Sequence, residues 1–573
     1  MIIKLFFNKK LPYIFLFVKL YYIMFNILKS HKYFISTLFI SIIAIYITFQ
    51  HNIGLIIDCG REVYYPQEIL NGKVLYKDLF NIYGPFSYLF NAFLYKIFGI
   101  NLNVICISGA VCAVGIVCGI FLLAKLLLND NFAFNLSMLT ISVGLIPVYI
   151  FNYIFPYAFA MTYGLCAFIF SLLFLLYYVN SKSNIYLYVS LLFAGLAITC
   201  KYEFLAYLLV YVPVFYRLRP KLNTLIIGLL SFGLAPEMCF AFLFAKGLTF
   251  NNLIQTVKII ITMSHTQTLK YFYIHSGVFP HKQSILAFCA TFLALFVPFL
   301  IYLLPVIFKN KIKNPILLLI TTYTGICLMI LFKNGSAYDI FFSIGILLFF
   351  VIILNFKKII NNLSLFIVVA SISLISLKVF WGVILNSYGN YYIPLILLAI
   401  SILFKDKFTE KEWDYIGFYV LILSLLIGFH NLKMIPSQNV PIKTLKGNLY
   451  VEKKYKTTNQ LLNFIEKNTK KTDKIIIYPE GMMINFLSDR KSDSFYNSMI
   501  PLYEETFGVD TYIKHFEKNM PKYIIFNSWN SSDYYFSIIC EDYGFKFCEF
   551  VKNKYFEKSR LQGDFSYIIF ERK

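Results

Sequence analysis

A chain of 573 residues with 59% hydrophobic and only 14% charged side chains, and a mean hydropathy of +0.68, is excluded from the soluble globular class. Soluble domains carry roughly 45–50% apolar and about 25% charged residues. The formal charge of +23 does not point to nucleic acid, because residues 436–573 hold 21 basic against 17 acidic side chains, a net of only +4. The remaining excess sits in short clusters between apolar blocks, as the basic loops that orient membrane spans do.

Residues 1–32 are basic and apolar, but Lys19 interrupts the run and no small-residue cleavage site follows. They read as an interfacial segment, not as a cleavable signal. Apolar blocks near the length of about 20 residues needed to cross a bilayer then recur. Candidate spans are 33–50, 103–124, 133–151, 157–178, 186–200, 203–216, 222–245, 285–308, 315–332, 339–356, 364–384, 391–404 and 414–432, about thirteen in all. Basic residues gather at Lys4, Lys9, Lys10 and Lys29 and then in alternate loops, at Lys125, Lys182, Arg217, Arg219, Lys221, Lys309, Lys311, Lys313, Lys357 and Lys358. That bias places the N-terminus in the cytoplasm, and an odd number of spans places residues 434–573 outside it. The expected location is the inner (plasma) membrane, with 33–433 as the membrane domain.

Two outer loops are long, 51–102 and 246–284. Within the first, residues 58–99 combine four acids, four glycines and two prolines with well-patterned apolar positions, which a passive spacer does not require. Asp58 follows the first span directly, and Glu62 lies four residues on, on the same face of a helix. Arg61–Leu70 and Phe86–Phe98 have helical patterning, while Asn71-Gly72 and Tyr83-Gly84-Pro85 are turn signals. The loop is expected to form two helices lying along the membrane, with an acidic pair at the interface.

The tail, 434–573, alternates helix-like runs (Thr458–Asn468, Val509–Asn519, Ser531–Asp542) with strand-like runs (Lys474–Tyr478, Tyr523–Asn527, Phe545–Val551, Phe565–Glu571). A small α/β or α+β domain is expected. The eleven cysteines include no CxxC pair and no zinc spacing, and the seven histidines form no metal-binding pattern. Cys540 and Cys548 would be free to pair in an oxidising compartment.

Asp58, Tyr64, Pro66, Gly72, Tyr76, Asp78 and Gly84-Pro85 in the first loop, Pro156-Tyr157, Ala194-Gly195-Leu196 leading to Lys201-Tyr202-Glu203, and Tyr478-Pro479-Glu480-Gly481 in the tail together carry a likeness. The chain resembles the GT-C membrane glycosyltransferases, specifically the bacterial relatives of protein O-mannosyltransferases and of the lipid A aminoarabinose transferase. It departs from them where Cys59, in place of a second acid, follows Asp58, and where Tyr83-Gly84 replaces an acidic-plus-basic pair. The resemblance implies an all-α polytopic membrane protein with a C-terminal α/β extracytoplasmic domain. It implies a glycosyltransferase that takes a sugar from a polyprenyl-phosphate donor to a glycolipid, polysaccharide or protein acceptor, among membrane lipids, with no certain cofactor and a divalent metal possible.

Such a transfer needs a base near the acceptor hydroxyl and positive charge or donors near the departing phosphate. The candidates are Asp58 as base with Glu62 assisting, Arg61, Lys201 and Lys77 for the donor phosphate, and Tyr64, Tyr83 and Glu203 for substrate. The competing bland readings are a loop salt bridge from Arg61 to the two acids and a simple pairing of Lys201 with Glu203. An O-antigen ligase or polymerase would carry a large late loop with arginines, and the late outer loops here are short. A sugar transporter or flippase would carry two related halves with mid-span acids, whereas the acids here concentrate in the first loop.

Overall fold

The computed structural model describes residues 31–280, 285, 289, 341–384, 387–493 and 495–573. The expected spans 285–308 and 315–332 and the segment 1–32 lie almost wholly outside these residues. The other expected spans fall on helices. Among the described residues four helices are long and apolar enough to cross a membrane: Leu102–Leu127, Phe159–Ser181, Leu222–Ala245 and the one within 412–437. Five more apolar helices, such as Lys32–Thr48 and Asn184–Cys200, are shorter, the shortest being the 11 residues of Ile344–Leu354. These helices do not establish the expected count of about thirteen spans. One of the shorter stretches is interrupted. At Lys201 the Asn184–Cys200 helix ends and a 3-10 stretch, Tyr202–Val210, leads into a short helix, Tyr211–Leu218.

Phe159–Ser181 packs against Asn184–Cys200, which in turn packs against Leu222–Ala245, and Glu410–Leu432 packs against Asp130–Gly144. The core between them is aliphatic and aromatic, with Leu165, Phe168, Ile169, Tyr207, Ile393 and Leu398 among its enclosed side chains. Outward faces stay apolar: Leu205, Leu209, Val212, Leu229, Leu230 and Met238 are all exposed. Such a surface suits lipid and would be a liability in water.

The first loop forms the two expected helices, Cys59–Leu70 and Phe86–Phe98, with turns at Asn71-Gly72 and before Pro85. The second long loop forms helices Phe250–Ser264 and Gln267–His275. In the tail a hairpin, β1 (Val440–Thr444) with β2 (Gly447–Val451), precedes a four-stranded mixed sheet. Its strands are β3 (Ile475–Tyr478), β4 (Tyr523–Asn527), β5 (Tyr555–Leu561) and β6 (Tyr567–Arg572), in the order β3-β4-β6-β5. Only β3 and β4 run parallel.

Two tail expectations are corrected. Phe545–Lys554 is a helix where a strand was expected, because Phe547, Phe550 and Val551 recur at helical spacing and Gly544 starts the turn with a positive φ. Ser531–Asp542 is not a helix. Ser532 N–H donates to the Asn530 side chain and Ser537 N–H to the Asp542 carboxylate, so local side-chain bonds replace the helical ladder. Cys540 and Cys548 are joined by a disulfide.

The tail shares a core with the first loop. Val63, Tyr64 and Tyr65 of the Cys59 helix, Leu75, and Met482, Met483 and Phe486 of the tail helix Met482–Ser488 belong to one enclosed cluster with Ile475 and Ile477 of β3. The approach is at backbone level: a Cβ on Gly60 would overlap the Met483 backbone nitrogen. The tail also grips the second loop, since the Glu505 carboxylate accepts from Gln267 N–H and Thr268 N–H, both at 2.9 Å, at the start of the Gln267 helix.

Candidate active site

Asp58 sits at the entry to the Cys59–Leu70 helix with φ 57° and ψ −59°. Cys59 N–H donates to the Ile57 carbonyl at 2.6 Å across it, closing a three-residue turn of the rare positive-φ kind. For a residue with a side chain such a conformation costs about 1–3 kcal/mol and persists only where its surroundings enforce it. The Asp58 carboxylate keeps 32% of its surface and accepts a bond from Arg61 Nη2 at 3.3 Å.

Arg61 is committed in several directions. It donates to Glu62 Oε1 (3.3 Å), the Tyr88 hydroxyl (3.0 Å) and the Tyr157 carbonyl (3.2 Å), and its guanidinium lies 5.4 Å from the Tyr83 ring centre. Glu62 is fully enclosed. It takes the Tyr88 hydroxyl at 2.7 Å on one oxygen and Phe159 N–H at 2.8 Å on the other, where it meets the first turn of the Phe159–Ser181 helix. A carboxylate at a helix N-terminus is favoured by the free N–H groups there. Glu62 therefore ties the first loop to the bundle, and any assisting role would pass through Arg61.

Lys201 also stands near the Tyr83 ring. Gly84 N–H donates to the Cys200 carbonyl at 3.0 Å, and a Cβ on Gly84 would overlap the Thr199 carbonyl oxygen. Only glycine lets the Tyr83 turn settle on the end of the Asn184–Cys200 helix. The result places Lys201 Nζ 5.8 Å from the Tyr83 ring centre and 5.5 Å from that of Tyr157. Lys201 donates to Glu203 at 2.9 Å and to the Tyr157 hydroxyl at 2.8 Å, and Tyr392 donates to the same Glu203 oxygen at 2.9 Å. The bland pairing of Lys201 with Glu203 thus exists, and it borders the same aromatic wall as Arg61.

Two further expected contacts lie away from the Arg61 and Lys201 cluster. Tyr64 is enclosed, and its hydroxyl accepts Ser492 N–H of the tail at 2.7 Å, so it fastens the domains together and faces no substrate. Lys77 is exposed, and its ammonium lies beside Gly247, past the end of the Leu222–Ala245 helix.

The residue that sequence reasoning missed is Glu480. It is enclosed, and its Oε1 accepts Asp58 N–H at 3.0 Å. Together with Tyr503 it lines a narrow cavity that Arg61, Tyr65 and Phe80 also border. Burial raises the pKa of Glu480 and Asp58 reinforces the rise, while Arg61 opposes both. Asp58 is likewise raised by burial, against the pull of Arg61. Burial raises Glu62 too, against Arg61, Tyr88 and Phe159 N–H. No group of three or more His, Cys, Asp and Glu side chains is placed to hold a metal ion among the described residues.

No protein-family model matches the chain, and no curated protein matches it. Among solved structures it is similar to ArnT from Cupriavidus metallidurans bound to undecaprenyl phosphate, at 9% identity over 94% of this chain and 98% of that one, with a TM-score of 0.45. It is also similar to the oligosaccharyltransferase of Archaeoglobus fulgidus in complex with Zn and sulfate, at 13% identity, 85% and 67% coverage and a TM-score of 0.45. The same enzyme tethered to an acceptor peptide gives 12% identity, 87% and 69% coverage and a TM-score of 0.43.

Proposed function

We propose that this protein is a membrane glycosyltransferase that moves a sugar from a polyprenyl-phosphate donor to a glycolipid, polysaccharide or protein acceptor on the outer face of the membrane. The single observation that carries the reading is the placing of Asp58. A partly exposed carboxylate is held at the start of a loop helix, with Arg61 beside it and Lys201 near the same Tyr83 ring. The resemblance of the first loop to GT-C enzymes supports the same reading.

In the proposed step an acceptor hydroxyl gives its proton to Asp58 as its oxygen attacks the anomeric carbon. The bond from that carbon to the donor phosphate oxygen breaks, and its electron pair leaves with the phosphate. Arg61 and Lys201 balance the charge that gathers on the phosphate. Tyr83, near both cations, offers an aromatic surface for the sugar. Glu203 holds Lys201, and Glu62 holds Arg61, so both acids act through the cations. The raised pKa of Asp58 suits this role, because a stronger base accepts the proton more readily. No step is routed through a divalent ion. The proposed orientation has the N-terminus in the cytoplasm and residues 434–573 outside.

The test is Asp58→Asn, which keeps the size and hydrogen bonding of the side chain but cannot take the proton. With protein levels matched, transfer of a labelled sugar from a purified polyprenyl-phosphate donor should fall at least ~10²-fold, while membrane insertion and binding of undecaprenyl phosphate stay close to wild type. Near-normal turnover would remove Asp58 as the base.

A further inference from the structure

We infer that Glu480 is a positioning residue for Asp58, so that the C-terminal domain completes the candidate active site; the catalytic half of this inference rests on the transferase reading above.

The Asp58 amide points away from its own loop, because the turn at Asp58 uses the Ile57 carbonyl and the Cys59 amide. Its partner is the Glu480 carboxylate at 3.0 Å, from the other end of the chain. A buried amide without a partner costs about 1–3 kcal/mol, so removing Glu480 frees the turn to relax and the Asp58 side chain to swing from its place beside Arg61. Glu480 is itself held on both sides. The Pro479 carbonyl accepts Met499 N–H at 2.7 Å, and the Glu480 carbonyl accepts the Asn527 side chain at 2.8 Å. The helix that follows, Met482–Ser488, rests on Gly60 of the Asp58 loop. A rigid tail segment therefore presents one carboxylate to one strained residue, and a merely space-filling cap would need no such contact.

The charge around the pair points the same way. Glu480 faces Asp58, Arg61, Tyr65, Tyr503, Tyr534 and Tyr543. One cation, Arg61, stands among these groups against two carboxyls. A proton retained on Glu480 leaves Asp58 as the member of the pair that is free to act as base, in the manner of carboxyl pairs whose environments separate their roles.

The experiment uses the full chain in nanodiscs, as wild type, Glu480→Gln, Glu480→Ala and Glu480→Asp. Hydrogen exchange followed by mass spectrometry over residues 54–62 should be at least ~10-fold faster in E480A, and also in E480D, whose shorter side chain loses its reach. E480Q, whose carboxamide oxygen still accepts the amide, should stay near wild type. Turnover measured with a panel of labelled hexosyl and pentosyl undecaprenyl phosphates should drop at least ~10-fold in kcat for E480A with KM within about twofold. E480Q should restore most of that kcat, but its pH profile should lack the ionisation that Glu480 contributes to the wild type. Unchanged exchange in both E480A and E480D overturns the contact, and normal kcat in E480A overturns the positioning role. Faster exchange in E480A, with no transfer from any donor by the wild type, overturns the transferase reading and the catalytic half of this inference while the contact stands.

Discussion

Two carboxylate environments in this protein are built in opposite ways. At the junction of the first loop and the tail, Asp58, Glu62 and Glu480 share the single cation Arg61, and burial lifts the pKa of all three. Inside the tail, Asp493 is just as enclosed, yet its pKa falls to about 2. Burial alone would raise it. The His515 ring nitrogen at 2.6 Å, the Tyr496 and Phe495 amides at 3.0 and 3.2 Å, and Lys474 at 3.5 Å reverse that effect. Partners outnumber the acid in one place and acids outnumber the partner in the other. The first arrangement stabilises a fold; the second keeps protons available to move, which is what a reaction needs.

The contrast can be broken at Arg61, where the largest effect is expected. Arg61→Ala would leave Glu62 buried without its cation, a loss of about 3–5 kcal/mol when one partner of a buried pair is removed. A marked fall in the melting temperature of the purified protein should accompany loss of turnover. Wild-type stability in this variant would mean that Arg61 is not the structural centre of the cluster.

At Asp493 the effect is smaller and depends on pH. Its folded pKa of about 2 lies below the ordinary value of about 3.9. The stabilisation is therefore complete above about pH 4 and is lost as the pH falls through about 2, amounting to about 2–3 kcal/mol at neutral pH. Asp493→Asn should melt lower than wild type at pH 7, and the gap should close on acidification. A gap that stays constant down to pH 2 would contradict the assignment.

Glu62→Gln sharpens the comparison with the mildest change. Glutamine still accepts one of the two bonds that Glu62 receives from Tyr88 and Phe159 N–H, but it no longer balances Arg61. A stability loss of about 1–2 kcal/mol is expected, with turnover reduced far less than by Asp58→Asn. A turnover loss equal to that of Asp58→Asn would return Glu62 to the reacting pair.

What could be read along the chain was whatever is encoded over a few turns. The helix Phe86–Phe98 was legible from its apolar pattern, and the turn at Tyr83-Gly84-Pro85 from its residue types. Asp58, Arg61 and Lys201 were legible as candidates because charged residues at the ends of apolar blocks are few, and Tyr83 because it opens the Tyr-Gly-Pro turn. The helix Phe545–Lys554 was misread because a short run of alternating aromatics satisfies both the strand and the helix period. Glu480 was noticed as part of a motif but given no role, since its partner is 422 residues away and only folding brings them together. The signal that could have found it is a single acid amid the apolar run Ile475–Leu487, a position that demands a buried partner. Tyr64 was misplaced for the converse reason: a tyrosine beside candidate acids reads as a ligand contact, whereas its hydroxyl was needed to fasten the tail.

The close approach of Gly60 to Met483 also sets an order of events during synthesis. A ribosome releases Asp58 before Met483, so the growing chain carries a carboxylate whose turn the tail does not yet hold. The tail acts as a clasp that shuts on the first loop. Until it shuts, a half-made copy has the acid but not the contact from Glu480. If Asp58 is the base proposed above, truncated products would be silent however many accumulate.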